Sequence, residues 1–135
     1  MEELQRLLRE IHPQKLLDVA TGSGNSIAAG LEMWPGCREL TGVDISDRGF
    51  EQARERFSFE GGITFRVMSA SSLDFPDGTF DAVMILNSLH HLESPEESLG
   101  EMYRVLAPGG RLWIGEMYRN GQRPTQMTHV LCHHW

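Results

Sequence analysis

The sequence predicts an α/β protein, doubly wound around a mostly parallel sheet, and three observations carry that expectation. Five short apolar runs are spaced along the chain, at Lys15 to Ala20, Glu39 to Val43, Ile63 to Val67, Phe80 to Leu86 and Arg111 to Met117. Helical patterns separate them, so parallel strands joined by right-handed crossovers are the natural solution. Of the 135 residues 40% are hydrophobic and 23% charged, which is ordinary globular usage and too apolar for a disordered chain.

Each element has a local cause. Leu4, Leu7, Leu8 and Ile11 recur at helical spacing among charges, and His12-Pro13 ends that helix because proline disfavours the helical region in the residue before it. The run KLLDVA leads into Gly22 and Gly24, as a buried strand leads into a tight turn. A helix follows from about Asn25 to Trp34, stopped by Pro35-Gly36. After the second strand, Ser46 is placed to cap a helix through about Phe57 whose face carries Phe50, Ala53 and Phe57, with Gly49 weakening its start. The third strand passes through a polar stretch, SASSLDFPDGT, to a fourth too apolar to have a wet face. Ser94-Pro95-Glu96-Glu97 reads as a capping box with proline at the first helical position, and that helix ends at Ala107-Pro108-Gly109-Gly110. The stretch from about Pro124 to Trp135 reads as the start of a helix, with no strand to cover the fifth. An apolar strand at a sheet edge invites pairing with another chain, so a homo-oligomer or a C-terminally truncated chain is expected.

Composition bounds the function. A chain of 135 residues buries about two-thirds of the surface it exposes when unfolded, enough for a single domain over residues 1–135. With 12 basic against 19 acidic residues the formal charge is -7, which argues against nucleic acid held by phosphate neutralisation. No apolar run approaches the ~20 residues that span a bilayer, and the N-terminus has no signal-peptide centre, so a cytoplasmic protein without a membrane partner is expected. Cys37 and Cys132 lie far apart without a CxxC pattern, which suits free thiols.

Ligands of an open α/β sheet bind beyond the carboxyl ends of the strands, here the loops after the first, second and fourth. The first loop, Asp18 to Asn25, contains two glycines that let the backbone bend and approach a ligand. The second begins at Asp44, about 20 residues beyond Gly24, where a carboxylate accepts hydrogen bonds from ribose hydroxyls. Together these suit an adenosine-containing ligand. A dinucleotide fingerprint wants a third glycine where this chain has Ile27, and GSGNS lacks the GK[ST] of a phosphate loop. Asp18 is unwelcome beside a phosphate but useful beside an ammonium or sulfonium cation.

These segments resemble the class I S-adenosylmethionine-dependent methyltransferases, in particular the small-molecule type that includes quinone-biosynthesis enzymes. The resemblance covers about Lys15 to Met117 through four collinear motifs: LLDVATGSGNS, GVDIS, SLDFPDGTFDAVMILNSLHHL and EMYRVLAPGGRLWI. It implies a Rossmann-like sheet of strand order 3-2-1-4-5, with the family's terminal antiparallel strand pair absent. It also implies a cofactor, S-adenosylmethionine, converted to S-adenosylhomocysteine as a methyl group passes to a small-molecule acceptor. Carried over, the backbone of Ala20, Thr21, Gly22, Ser23 and Gly24 cradles the methionine part, with Asp18 ordering that loop near the amino group. Asp44 holds the ribose, Ile45 packs on the adenine face, Ser69 and Ala70 border the adenine edge, and Asn87 meets the methionine end. Serine at position 69 replaces the family's frequent acid, and Ala20 replaces the commoner glycine, a change that suits a negative φ.

Plainer readings stand beside these. The glycines also fit an ordinary strand-to-helix turn, Asp18 and Asp44 fit turn or cap residues, Ser69 and Ala70 fit a loop, and Ile45 fits the core. His90 and His91 read better as loop-ordering hydrogen bonders than as general bases, and no catalytic residue is assigned. His129, Cys132, His133 and His134 lack a partner cluster, so no metal is expected. Trp34, Trp113, Phe59 and Phe75 read as packing residues. The alternatives to a methyltransferase are a non-catalytic adenosine-cofactor-binding or regulatory module needing a partner to complete its sheet, and a nicotinamide-dependent oxidoreductase.

Overall fold

The computed structural model describes residues 2–58, 60–120 and 123–132, with side chains described for 3–58, 60–116 and 130–132. In chain order the elements are α1 (Glu2–Arg9), β1 (Lys15–Val19), α2 (Asn25–Met33), β2 (Glu39–Asp44), α3 (Phe50–Arg56), β3 (Ile63–Val67), β4 (Phe80–Leu86), a 3-10 turn (Leu89–His91), α4 (Pro95–Val105), β5 (Leu106–Asn120) and β6 (Arg123–Cys132). The strands form one sheet in the order β3-β2-β1-β4-β5-β6. The first five are parallel, and the change of direction along the order falls between β1 and β4.

Alternation along the strands divides the core. Leu17, Val19, Val83, Ile85, Leu112 and Ile114 face α4, where Met102 and Val105 are fully buried. Leu16, Ala82 and Met84 face the other way, onto Leu8 of α1, Ile27 of α2 and Trp34 just after it. Trp34 also donates its indole N–H to the Leu8 carbonyl at 2.9 Å, which satisfies the one polar atom it brings inside. Each such leucine contributes about 1.5–3 kcal/mol through apolar burial, and Leu17→Ala costs about 2–5 kcal/mol once the cavity is counted.

The clearest departure from expectation is β6. Instead of a helix, residues 123–132 pair antiparallel with β5 from Arg111 opposite Cys132 to Asn120 opposite Arg123. An antiparallel pair therefore does close this end of the sheet, and the order is six-stranded. Asn120 is the last paired residue of β5, and the glycine that follows it in the sequence is a turn former because it accepts positive φ. With β6 on the outer edge of β5, the argument for association through an exposed fifth strand loses its basis.

Smaller corrections have local causes. β5 begins at Leu106 because a register irregularity opposite Phe80 and Ala82 absorbs the Ala107-Pro108-Gly109-Gly110 segment. α3 begins at Phe50, since the Ser46 hydroxyl accepts the Arg48 amide at 3.2 Å in a tight turn instead of capping the helix. Ser94 and Pro95 do start α4, but the Ser94 side chain makes no cap bond; its carbonyl accepts the Ser98 amide at 2.9 Å. Between β3 and β4 there is no helix. That loop is pinned by Arg104, which donates to the carbonyls of Leu73 and Phe75 and pairs with Asp77 and Glu101.

Candidate functional site

Parallel strands deliver their following loops to one end of the sheet, and the loops after β1, β2, β3 and β4 meet there. Asp18, fully buried in β1, organises the first. Its Oδ2 accepts hydrogen bonds from the hydroxyls of Thr21 and, at 2.6 Å, Ser26, so one carboxylate oxygen holds both the loop and the first turn of α2. Its Oδ1 is buried without a hydrogen-bond partner among the described residues. Burial pushes the Asp18 carboxyl up to about 7, against the pull of the Ser26 and Thr21 hydrogen bonds, and the nearby Asp44 charge adds to the rise.

The loop backbone is unusual at two positions. Ala20 has φ of 60°, so this residue occupies the left-handed region, contrary to the negative φ that its side chain favours. Gly22 has φ of 51°, and a side chain there would meet open space rather than protein. Across the site, Asn87 also has φ of 61° and donates its amide to the Gly115 carbonyl at 2.6 Å. Strain of this kind concentrates where backbone must face a ligand.

Two cavities line this end, and Ala20 belongs to both. One, of about 510 Å³, is bounded by the loop from Ala20 to Ser23, by Ser26 and Ala29 of α2, and by Asn87, Ser88, Trp113 and Gly115. The other, of about 280 Å³, is bounded by Asp44, Ile45, Ser69, Ala70 and the segment from His91 to Ser94. Nine of the anticipated residues thus lie on one continuous groove: Ala20, Thr21, Gly22, Ser23, Asp44, Ile45, Ser69, Ala70 and Asn87. Asp18 lies beneath it. Gly24 is off its wall and caps α2 at φ 98°, where a Cβ would stand 2.8 Å from the Phe57 ring. Ile45 is 71% exposed, so the core reading of that residue does not hold.

The Asp44 carboxylate joins the two loops, accepting the Gly22 amide at 2.9 Å and the Ser46 amide at 3.1 Å. Ser69 and Ser71 share a 2.9 Å hydroxyl hydrogen bond at the adjoining wall. Several contributors lie beyond what the sequence indicates. Gly49 reads there only as a weak start to a helix, yet a Cβ at this position would stand 2.4 Å from the Gly22 carbonyl group, so its bareness is what lets α3 approach the glycine loop. Met68, His91 and Leu92 line the second cavity, and Trp113 lines the first while meeting Trp34 edge-on at 5.8 Å. The Trp113 indole nitrogen is buried without a partner among the described residues.

The two histidines after β4 differ in setting. His90 lies 2.6 Å, through Nδ1, from Oε2 of Glu116, a buried acid near the end of the parallel part of β5. The His91 ring stands 3.9 Å from that of His90. Trp34 and Phe75 pack as expected, Phe75 edge-on to Phe80 at 4.9 Å. Phe59, His133 and His134 lie outside the described residues, as does the side chain of His129. Among the described residues no group of three or more His, Cys, Asp or Glu is placed to hold a metal ion, and no helix is long and apolar enough to cross a membrane.

Comparison with known proteins agrees with this geometry. A family model described as a methyltransferase domain matches residues 17–114. Demethylmenaquinone methyltransferase of Thermus thermophilus is 40% identical over 111 residues, covering 82% of this chain and 50% of that protein. The ubiquinone/menaquinone biosynthesis C-methyltransferase of Desulfotalea psychrophila is 39% identical over 97 residues, 72% of this chain and 39% of that protein. The chain thus spans about half or less of the length of these curated relatives. Among solved structures, the YcgJ protein of Bacillus subtilis superposes with a TM-score of 0.71 at 26% identity, covering 87% of this chain and 52% of that one. The methyltransferase CalH, solved with S-adenosylhomocysteine, shares the fold with a TM-score of 0.76 at 24% identity over 89% of this chain and 36% of its own. With the match extending over most of the sheet and over every loop of the groove, the chain belongs to the class I S-adenosylmethionine-dependent methyltransferases and is similar to those of quinone biosynthesis.

Proposed function

We propose that this chain binds S-adenosylmethionine along the groove and transfers its methyl group to a small-molecule acceptor of the quinone class, releasing S-adenosylhomocysteine. The observation that carries the proposal is the bipartite groove meeting at Ala20, with Asp44 at the end of β2 on one side and the glycine loop on the other. Asp18 Oδ1, buried and unpartnered, fits a ligand that brings a cation close to this loop.

On this reading the second cavity takes adenosine. Asp44, whose two oxygens each keep acceptor capacity beyond one amide, receives the ribose hydroxyls. Ile45 covers the adenine face, and Ser69 and Ala70 border its edge. The loop from Ala20 to Ser23 holds the methionine part, Gly24 sets the turn, Asp18 favours the ammonium group and Asn87 stands at the far wall. Bound there, the cofactor would supply a sulfonium methyl group, whose carbon an in-line nucleophile bonds as the thioether leaves with the carbon–sulfur electron pair. The protein's main contribution is then alignment of the two reactants. The acceptor enters from the larger cavity, between Ala29, Trp113 and Gly115. Residues 1–135 act as one cofactor-binding domain, in the cytoplasm.

Isothermal calorimetry against S-adenosylhomocysteine, with NADH as the parallel titrant, tests the reading. Saturable one-site binding of the former alone is expected. Binding of NADH alone would move the oxidoreductase to the front, and binding of neither would remove the cofactor assignment.

A further inference from the structure

We infer that the indole N–H of Trp113 is a specificity-determining donor for the methyl acceptor, selecting a ring that carries an oxygen; this rests on the methyl-transfer reading above. Trp113 and Gly115 both line the larger cavity, two residues apart and therefore on the same face of β5. Trp113 Nε1 is buried and has no hydrogen-bond partner among the described residues. A buried donor left unpaired costs stability, so packing alone does not account for this side chain.

The neighbouring tryptophan sharpens the contrast. Trp34 meets Trp113 edge-on with ring centroids 5.8 Å apart, and its own N–H is satisfied by the Leu8 carbonyl at 2.9 Å. The pair settles one indole nitrogen inside the protein and leaves the other without a partner. Phenylalanine at position 113 would also present an aromatic ring to Trp34, without bringing a donor into the cavity wall.

The place of the nitrogen shows from which side a partner can come. A Cβ on Gly115 would stand 3.9 Å from Trp113 Nε1, the nearest atom of that ring, and 2.9 Å from Leu86 Cδ2. The nitrogen thus leads the indole along β5 towards the groove. Gly115 puts no side chain of its own in front of it, and Leu86, another residue of the cavity wall, reaches into that space instead. A leucine has alternative staggered rotamers, so an incoming atom can take the place of its methyl group above Gly115.

The donor defines what fills that space. An indole N–H donates and never accepts, so its partner must offer a lone pair. A carbonyl, phenol or phenolate oxygen does so, whereas an ammonium group or a bare hydrocarbon edge does not. Ala29, Leu86 and the Trp113 ring make this side of the cavity apolar, which suits a flat aromatic body behind the oxygen. The unpaired atoms also sort the two reactants: Asp18 Oδ1 lies beneath the loop on the cofactor's side, and Trp113 Nε1 lies on the acceptor's. One directional bond then fixes the acceptor ring against the cofactor, which apolar contacts alone do not.

The full chain, saturated with S-adenosylhomocysteine, is titrated with 2,3-dimethyl-1,4-naphthoquinone, whose substituted ring is slow to add thiols, and with 2,3-dimethylnaphthalene, which has the same rings without oxygen. In nitrogen-edited NMR the Trp113 indole proton should move downfield with the quinone and not with the hydrocarbon. Trp113→Phe should weaken quinone binding about 10-fold and leave that of the hydrocarbon within about threefold. A Trp113 resonance unmoved at saturating quinone, the same shift with both ligands, or an equal loss of both in Trp113→Phe overturns the proposal, as does a lack of saturable quinone binding. S-adenosylhomocysteine binding is measured first: if wild type fails to bind, the methyl-transfer reading falls, whereas a cofactor-loaded protein whose indole does not respond to the quinone removes only the role of Trp113.

Discussion

The Asp44 carboxylate accepts a hydrogen bond from the Gly22 amide at 2.9 Å, so the acid that ends β2 also holds the loop that follows β1. The two halves of the groove are therefore set by one side chain, and its removal acts on both. Asp44→Ala should weaken S-adenosylhomocysteine binding by about 1–3 kcal/mol through lost charge-assisted hydrogen bonds. Calorimetry checks this, and an unchanged affinity would show the ligand lies elsewhere.

Asp18 makes stability depend on pH in a stated direction. The unfolded carboxyl releases its proton near 3.8, while the folded one keeps it up to about 7. Between those values the folded state binds more protons, so the contribution is complete below pH 3.8 and is lost as pH rises to about 7. The loss is on the order of 4 kcal/mol as an upper bound. Asp18→Asn removes it, so the variant's melting temperature relative to wild type should rise between pH 5 and pH 8. A difference independent of pH would contradict the buried, proton-holding state.

Ala20 and Gly22 both have positive φ, but only one is a glycine. Ala20→Gly should stabilise the chain by about 1 kcal/mol by relieving the left-handed strain. Gly22→Val should do the reverse and place a branched side chain in the groove, removing measurable S-adenosylhomocysteine binding. Thermal melts and calorimetry separate the two effects; a destabilised Ala20→Gly protein would mean the strain is absent.

Gly49→Ala tests the approach of α3 to the glycine loop. A Cβ at 2.4 Å from the Gly22 carbonyl group must displace backbone. The expected cost is about 1–3 kcal/mol of overpacking, with a lowered affinity for S-adenosylhomocysteine. Wild-type binding and melting in this variant would show that the loop has room to spare.

Much of this is legible in the chain because it is local. The runs at β3 and β4 have the bounds their apolar residues suggest, and Pro95 opens α4 because its missing N–H is free at that position. The glycine loop and Asp44 are legible because their spacing fixes where they fall on strand ends. What escapes depends on register between distant segments. His90 and Glu116 are 26 residues apart, and nothing near either one announces the other before β4 and β5 are aligned. Gly49 looks like a poor helix former until α3 is seen against Gly22. β6 escapes for a different reason, because the turn signal of a single glycine at 121 is obscured by the polar residues after it.

With the cofactor lying along the groove as proposed, Ala20, shared by both cavities, makes the groove a receptor for two tethered fragments. Once one end of a linked ligand is seated, the other meets its own cavity at an effective concentration on the order of millimolar or more. Adenosine and homocysteine added as a mixture lack that advantage, and neither inherits the affinity of the thioether that joins them. Loosening the grip on either end then weakens the whole ligand, while the fragment at the opposite end binds as before. Retention of the cofactor thus depends on its being in one piece.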